Sequence, residues 1–180
     1  MKFKTWLGET EIQPNDWAVT AEVPPEPGTT PIPPNHVRLF HYTKVEGASD
    51  DQKHQAAELL RSNGLDIKMA KGNSYGEPNV VWASRQMPSQ HRVFAEFSID
   101  AQDPRWGPYW RNGNIPREEG DCFFTDSIRP EEIIAVYEPW HHRYNYMLQS
   151  GLIEKAKAGE FDRILDTQEY GPAVRKAKAS

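Results

Sequence analysis

The stretch VRLFHYT, residues 37 to 43, ends in an imidazole and two hydroxyls at His41, Tyr42 and Thr43. The rest of the stretch alternates in the manner of a half-buried strand. Its polar end is therefore either a ligand-facing site or a core histidine with its hydrogen bonds met. Two further segments carry usable groups. NVVWASR sets Trp82 and Ser84 two residues apart, so a flat ring and a hydroxyl share one strand face. DCFFTDS opens with Asp121, behind Glu118 and Glu119 and ahead of Asp126 and Glu132. Asp121 heads its strand and shares a face with Phe123 and Thr125, which makes it the preferred carboxylate of the five.

Other chemistries are weaker. Of the six histidines, His141 and His142 are adjacent and the others lack ligand spacing such as H-x-x-x-H, so a metal site is not expected. Cys122 is the only cysteine. It could act as a nucleophile with His41, but it alternates away from Asp121 and sits between Asp121 and two phenylalanines, which suits a buried thiol. No dinucleotide-binding, phosphate-loop or nucleophile-elbow glycine pattern occurs; GNSYGEPN is glycine-containing but matches none, and is a candidate only for a segment lying over a ligand. In the run from Asp103 to Gly120, Trp106, Tyr109 and Trp110 lie between Arg105 and Arg111. A long aromatic loop of this kind is usually functional. It suits base stacking, a lid, or a surface that selects an acceptor.

These residues need elements to hold them. The alternation puts Val37, Leu39, His41 and Thr43 on one face of the first strand, and Arg38, Phe40 and Tyr42 on the other. Ser49 with Gln52 three residues on forms a capping box, Asp50 and Asp51 suit the positive end of a helix, and Gly64 suits its stop. HRVFAEFSID turns Val93, Ala95, Phe97 and Ile99 inward, and IIAVYEP forms a last strand after the turn IRPEE. From Trp140 on, one or two helical segments follow, and VRKAKAS reads as a frayed basic tail. Before the first strand, prolines at 24, 25, 27, 31, 33 and 34 forbid helix and sheet interior, so this part is a linker or a strap over the core. The expected organisation is an N-terminal strap and proline-rich linker over 1–36, an α+β domain over 37–146, and a helical C-terminal appendage with its tail over 147–180.

The composition fits that picture. A chain of 180 residues can bury one substantial core. Its hydrophobic share is 37% with 11% aromatic, which favours a mixed fold with aromatic clefts over a helical bundle. A net charge of -5 argues against a broad basic surface for duplex DNA. The N-terminal MKFKTWLGETEIQPND has no run apolar enough for a secretion signal, and no window approaches a membrane span. With a single cysteine, the expectation is a cytoplasmic protein in a reducing setting.

Read in order, the strand ending in H-Y-T, the capped helix with its glycine stop, VVWAS, the amphipathic strand, the strand opening on an acid, and I-x-P-E-E-I-I resemble the ADP-ribosyltransferase superfamily. The resemblance spans Val37 to Tyr137. It implies a split β-sheet with few helices, NAD as substrate, and a small mono-ADP-ribosyltransferase of the phage or bacterial effector kind, acting on a protein or nucleic-acid acceptor. His41 would then hydrogen-bond a ribose hydroxyl. The Tyr42 backbone would meet the nicotinamide carboxamide with Thr43 nearby, and Trp82 and Ser84 would line the nicotinamide side. Asp121 would stabilise the cation that develops on the ribose. The sequence departs from the pattern twice: Trp82 and Ser84 stand where relatives carry a tyrosine or a serine-threonine-serine run, and Asp121 stands for the usual glutamate, one methylene shorter. Alternatives are an NAD glycohydrolase, an RNA 2'-phosphotransferase using Arg38, Arg85 and Arg92, or a non-enzymatic inhibitor or adaptor on the same fold.

Overall fold

The computed structural model describes residues 17–45, 47–69, 79–115, 120–167 and 170–180. The first 16 residues of the expected N-terminal strap and most of GNSYGEPN lie outside them, as do Glu118 and Glu119.

Among the described residues there are five strands, as their apolar alternation predicts: β1 (His36–Tyr42), β2 (Val81–Ser84), β3 (Phe94–Asp100), β4 (Asp121–Phe124) and β5 (Ile133–Tyr137). They pair into one antiparallel sheet in the order β4-β2-β1-β3-β5, and the described strands show no division into two sheets. The fold class is α+β. Between β1 and β2 runs helix α2 (Asp50–Asn63), preceded by the short α1 (Trp17–Thr20). The capping box of α2 is complete, because the Ser49 hydroxyl accepts from Gln52 N–H and the Gln52 side chain accepts from Ser49 N–H. At its other end Gly64 adopts φ 67 and lies so close to the Ile128 carbonyl that a Cβ there would stand 2.1 Å from that oxygen. Only glycine meets both demands.

The strand alternation sorts the sheet into two faces. Leu39, Val81, Ala83, Ala95, Phe97, Ile99, Cys122, Phe124 and Val136 are buried on the first face, with Ala57 and Leu60 of α2 in the same core. The second face carries Phe40, Phe94 and Tyr137, with the Phe94 and Tyr137 rings stacked at 4.8 Å. Beside them lies an ion pair between Arg38 and the buried Glu96. The proline-rich run acts as a strap over this half of the second face: Gly28 N–H donates to Glu96 Oε2 at 3.0 Å, and Arg38 also donates to the Thr30 carbonyl. Tyr137 completes the arrangement, its hydroxyl donating to Glu96 Oε2 at 3.0 Å. A buried carboxylate with three donors is thereby satisfied.

The chain divides into two compact units, 23–142 and 143–180, the second including the described residues 17–22. In the second unit, after α3 (Pro139–Gln149), α4 (Ile153–Lys157) and α5 (Gly171–Ala179) gather around Met147, Ala156, Ala173, Val174 and Ala177. The tail expected to fray is thus helical. Ala173, Val174 and Ala177 form one small apolar face at helical spacing, while Lys178 reaches Asp162 at 2.6 Å and Lys176 reaches the Val19 carbonyl at 3.0 Å. Lysine-rich composition concealed that face.

Candidate functional site

β1, β2 and β4 are neighbours, so the three segments with usable groups come together although some 80 residues separate His41 from Asp121. Register fixes who faces whom. Phe40 pairs with Ser84, Ser84 pairs with Asp121, and Trp82 pairs with Phe123. Two rows therefore lie on the second face: a polar row of Ser84 and Asp121, and an aromatic row of Trp82 and Phe123.

His41 belongs to the other face, the one shared by Leu39 and by its cross-strand partner Ala95. The sheet thus separates the His41 side chain from those of Trp82, Ser84 and Asp121. It joins them by another route: His41 Nδ1–H donates to the Trp82 carbonyl at 2.6 Å. Burial lowers the affinity of the ring for a second proton, outweighing the opposite effect of that carbonyl. A neutral imidazole with its proton on Nδ1 leaves Nε2 as an acceptor.

The remaining groups of the first strand are partly committed. The Tyr42 ring is exposed and lies under the Arg92 guanidinium, 4.3 Å from its centroid. Thr43 ties the strand end to Val93, its N–H donating to the Val93 carbonyl at 3.0 Å and its hydroxyl at 3.4 Å. The Ser84 hydroxyl accepts from Gln86 N–H at 3.1 Å, turning the chain at the end of β2.

The candidate acids separate cleanly. Asp121 is exposed at the edge of the sheet. Glu132 is held by Arg105 through bonds of 2.8 and 2.5 Å, and Arg105 also grips Asp103 at 2.9 Å. The Arg105 guanidinium pulls the Glu132 carboxyl down to about 2, and the same arginine lowers Asp103. Both are fastenings of the loop, not free bases. Asp126 caps its own turn, accepting from Ser127 N–H at 2.7 Å.

The aromatic loop splits in the same way. Trp106 is fully buried in the main core, its ring 4.5 Å from Phe124 and its indole N–H donating to the Asp100 carbonyl at 2.9 Å. It is a core residue and not an accessible contact. Tyr109, in contrast, is 67% exposed and stands edge-on to Trp110 at 5.5 Å. Trp110 stands edge-on to Phe123 at 4.8 Å, and Phe123 lies 5.3 Å from Trp82. The loop therefore extends the aromatic row of the sheet into one shelf, Trp82–Phe123–Trp110–Tyr109. Phe123 was not among the expected site residues, yet its alternation with Asp121 is the signal that places it there. Gly107 holds the loop down: its N–H donates to the Phe123 carbonyl at 2.8 Å, and a Cβ on it would stand 2.6 Å from the Phe123 ring.

A nucleophilic role for Cys122 loses ground. Cys122 is buried, and burial, with Asp121 adding to it, pushes its thiol up to about 12. Among the described residues no group of histidine, cysteine and acid could hold a metal ion, and no helix is long and apolar enough to cross a membrane. No protein-family model, curated protein or solved structure matches the chain.

Proposed function

We propose that the chain is an NAD-dependent mono-ADP-ribosyltransferase with a macromolecular acceptor, its substrate seated on the shelf around Trp82 and Asp121. The observation that carries the reading is the meeting of H-Y-T, W-A-S and D-C-F-F on three adjacent strands. The reaction breaks the bond between the nicotinamide nitrogen and C1' of the ribose. The electron pair leaves with nicotinamide, which departs uncharged, and positive charge grows on the ribose. The acceptor atom then forms a bond to C1' and loses its proton. Such a reaction calls for a flat surface, groups that hold hydroxyls, and a carboxylate near the cation.

The reading assigns the flat surface to Trp82 and Phe123, a hydroxyl contact to Ser84, and the carboxylate to Asp121. His41 takes a positioning role through the Trp82 carbonyl, because its side chain lies on the face away from Trp82 and Asp121. Tyr109 and Trp110 are the part of the loop available to an acceptor. The exposure of Tyr109 favours one second reading, a non-enzymatic module that binds a partner through the same aromatic shelf.

Calorimetry and thermal shift with NAD, on the wild type and on Trp82→Ala, test the proposal. Binding that the substitution removes, followed by transfer of labelled ADP-ribose into a lysate, supports it. A folded protein that binds no NAD at millimolar concentration overturns it and leaves the partner-binding reading.

A further inference from the structure

The end of β5 runs straight into α3 through Glu138, and this junction is buried, with half-buried ionisable groups of α2 beside it. Glu138 is 3% exposed and His141 is 2% exposed. The two residues close the first turn of α3 from both sides. His141 N–H donates to the Glu138 carbonyl at 3.0 Å, and Glu138 N–H donates to the His141 ring nitrogen Nδ1 at 3.1 Å. The ring thus makes one half of a capping box, the bond from the N3 side chain back to the N-cap N–H, with imidazole in place of the usual glutamate or glutamine. The Glu138 carboxylate is taken up by α2, through His54 Nδ1 at 3.1 Å and Arg61 Nη2 at 2.9 Å. Arg61 also donates to the Val136 carbonyl of β5 at 3.3 Å and pairs with Glu58 on its own helix. The junction therefore fastens α2, β5 and the start of α3 together.

One feature of this junction depends on charge. A ring nitrogen accepts a hydrogen bond only when it carries no proton. Among the described residues the buried His141 Nε2 has no hydrogen-bond partner, and Glu138 Oε1 lies 3.8 Å from it. A proton added to Nδ1 would turn it toward Glu138 N–H, so that two donors face each other. It would also create a cation out of reach of water. The groups acting on His141 are Glu138 from its own turn and His54 and Arg61 from α2. Glu138 attracts the proton, but it already serves His54 and Arg61, and both of those repel it.

We propose that the His141–Glu138 cap, with His54 and Arg61 behind it, is an acid-sensitive latch that holds the first turn of α3 against β5 and α2 while the imidazole is neutral and releases it on protonation. Burial moves the ring from its ordinary 6.5 down to about 4, so the open or unfolded chain takes up the proton first. The stabilising contribution of this histidine is complete above pH 6.5 and is lost as pH falls from there toward about 4. Within that window opening becomes easier by about tenfold per pH unit.

Amide hydrogen exchange read by NMR on the full chain tests the latch. The expected result is a loss of protection at the Glu138 and His141 amides as pH falls through the window, after correction for intrinsic exchange. His141→Gln should flatten that loss, since its side-chain oxygen accepts from Glu138 N–H at every pH in the range. Protection unchanged with pH in the wild type, or the same loss in His141→Gln, overturns the proposal. Should His141→Gln fail to fold, the His141 ring resonances of the wild type decide. Titration near 6.5 with the Glu138 amide still protected would overturn it, and titration well below that value together with lost protection would support it.

Discussion

Asp121 lies directly across from Ser84 in the β2–β4 ladder, on the face of the sheet that His41 does not share. A carboxylate and a hydroxyl are thereby brought side by side at a sheet edge, with Trp82 and Phe123 as the next pair along. Histidine and acid belong to one region but to different sides of it. Under the proposed function their roles separate accordingly, Asp121 toward a ligand and His41 toward the strand that carries Trp82.

Asp121→Asn should abolish ADP-ribosyl transfer and leave the melting temperature unchanged, since Asp121 is exposed and surface substitutions of this kind shift stability by about 0.5 kcal/mol or less. His41→Ala should weaken turnover and also cost about 1 kcal/mol, because the Trp82 carbonyl loses its donor. Transfer assays paired with denaturant curves check both. Full activity in Asp121→Asn would move the assignment to Glu118 or Glu119, each testable by its glutamine variant.

The two tryptophans of the loop should behave in opposite ways. Trp106→Ala removes a fully buried ring and should cost about 3–5 kcal/mol. Trp110→Ala, at the partly exposed end of the shelf, should cost less and change acceptor use more than NAD binding. Equal losses of stability would contradict this division of the loop.

Glu132→Gln should weaken the loop through Arg105 by about 1–2 kcal/mol, the value of hydrogen bonds to charged groups reduced by solvent screening. The pH dependence has a definite sign. The Glu132 carboxyl is lower in the folded protein, at about 2 against an ordinary 4.5, so its contribution is complete above pH 4.5 and fades as pH falls toward 2. Acid unfolding of the variant should therefore be flatter below pH 4.5 than that of the wild type. This window lies below most of that of His141, so the two effects are separable.

Gly64 (φ 67, ψ -152) and Gly113 (φ 80, ψ 10) both hold a positive φ, and alanine at either should cost about 1–3 kcal/mol in strain. At Gly64 the new methyl also meets the Ile128 carbonyl, whereas Gly113 faces open space. Gly64→Ala should therefore be the more destabilising by more than about 1 kcal/mol, as a comparison of urea midpoints would reveal.

Local chemistry made much of the fold legible. Ser49, Gln52 and Gly64 mark the ends of α2 because caps are satisfied by residues three or four positions away. Alternation marks β3 and its inward residues, since side chains of an extended chain point to opposite faces whatever the strand pairs with. The thiol of Cys122 was also readable as buried from its place between the flanking positions of β4. The helix over 171–179 was not legible, because three small apolar residues among lysines form a face only when a partner surface covers them.

The sequence by itself determined which residues could do chemistry, and which face of its own strand each one takes. Only the tertiary structure decided how those faces combine. Pairing sets the register between strands, and a shift of one residue exchanges the two sides, so no local pattern could tell that His41 and Asp121 would end on opposite faces. The same holds for Trp106 and Glu132, whose composition suggested a site. A fully buried indole and an arginine-bound carboxylate are made by contacts across the fold, and those contacts are set by how the loop closes onto β4 and the turn before β5.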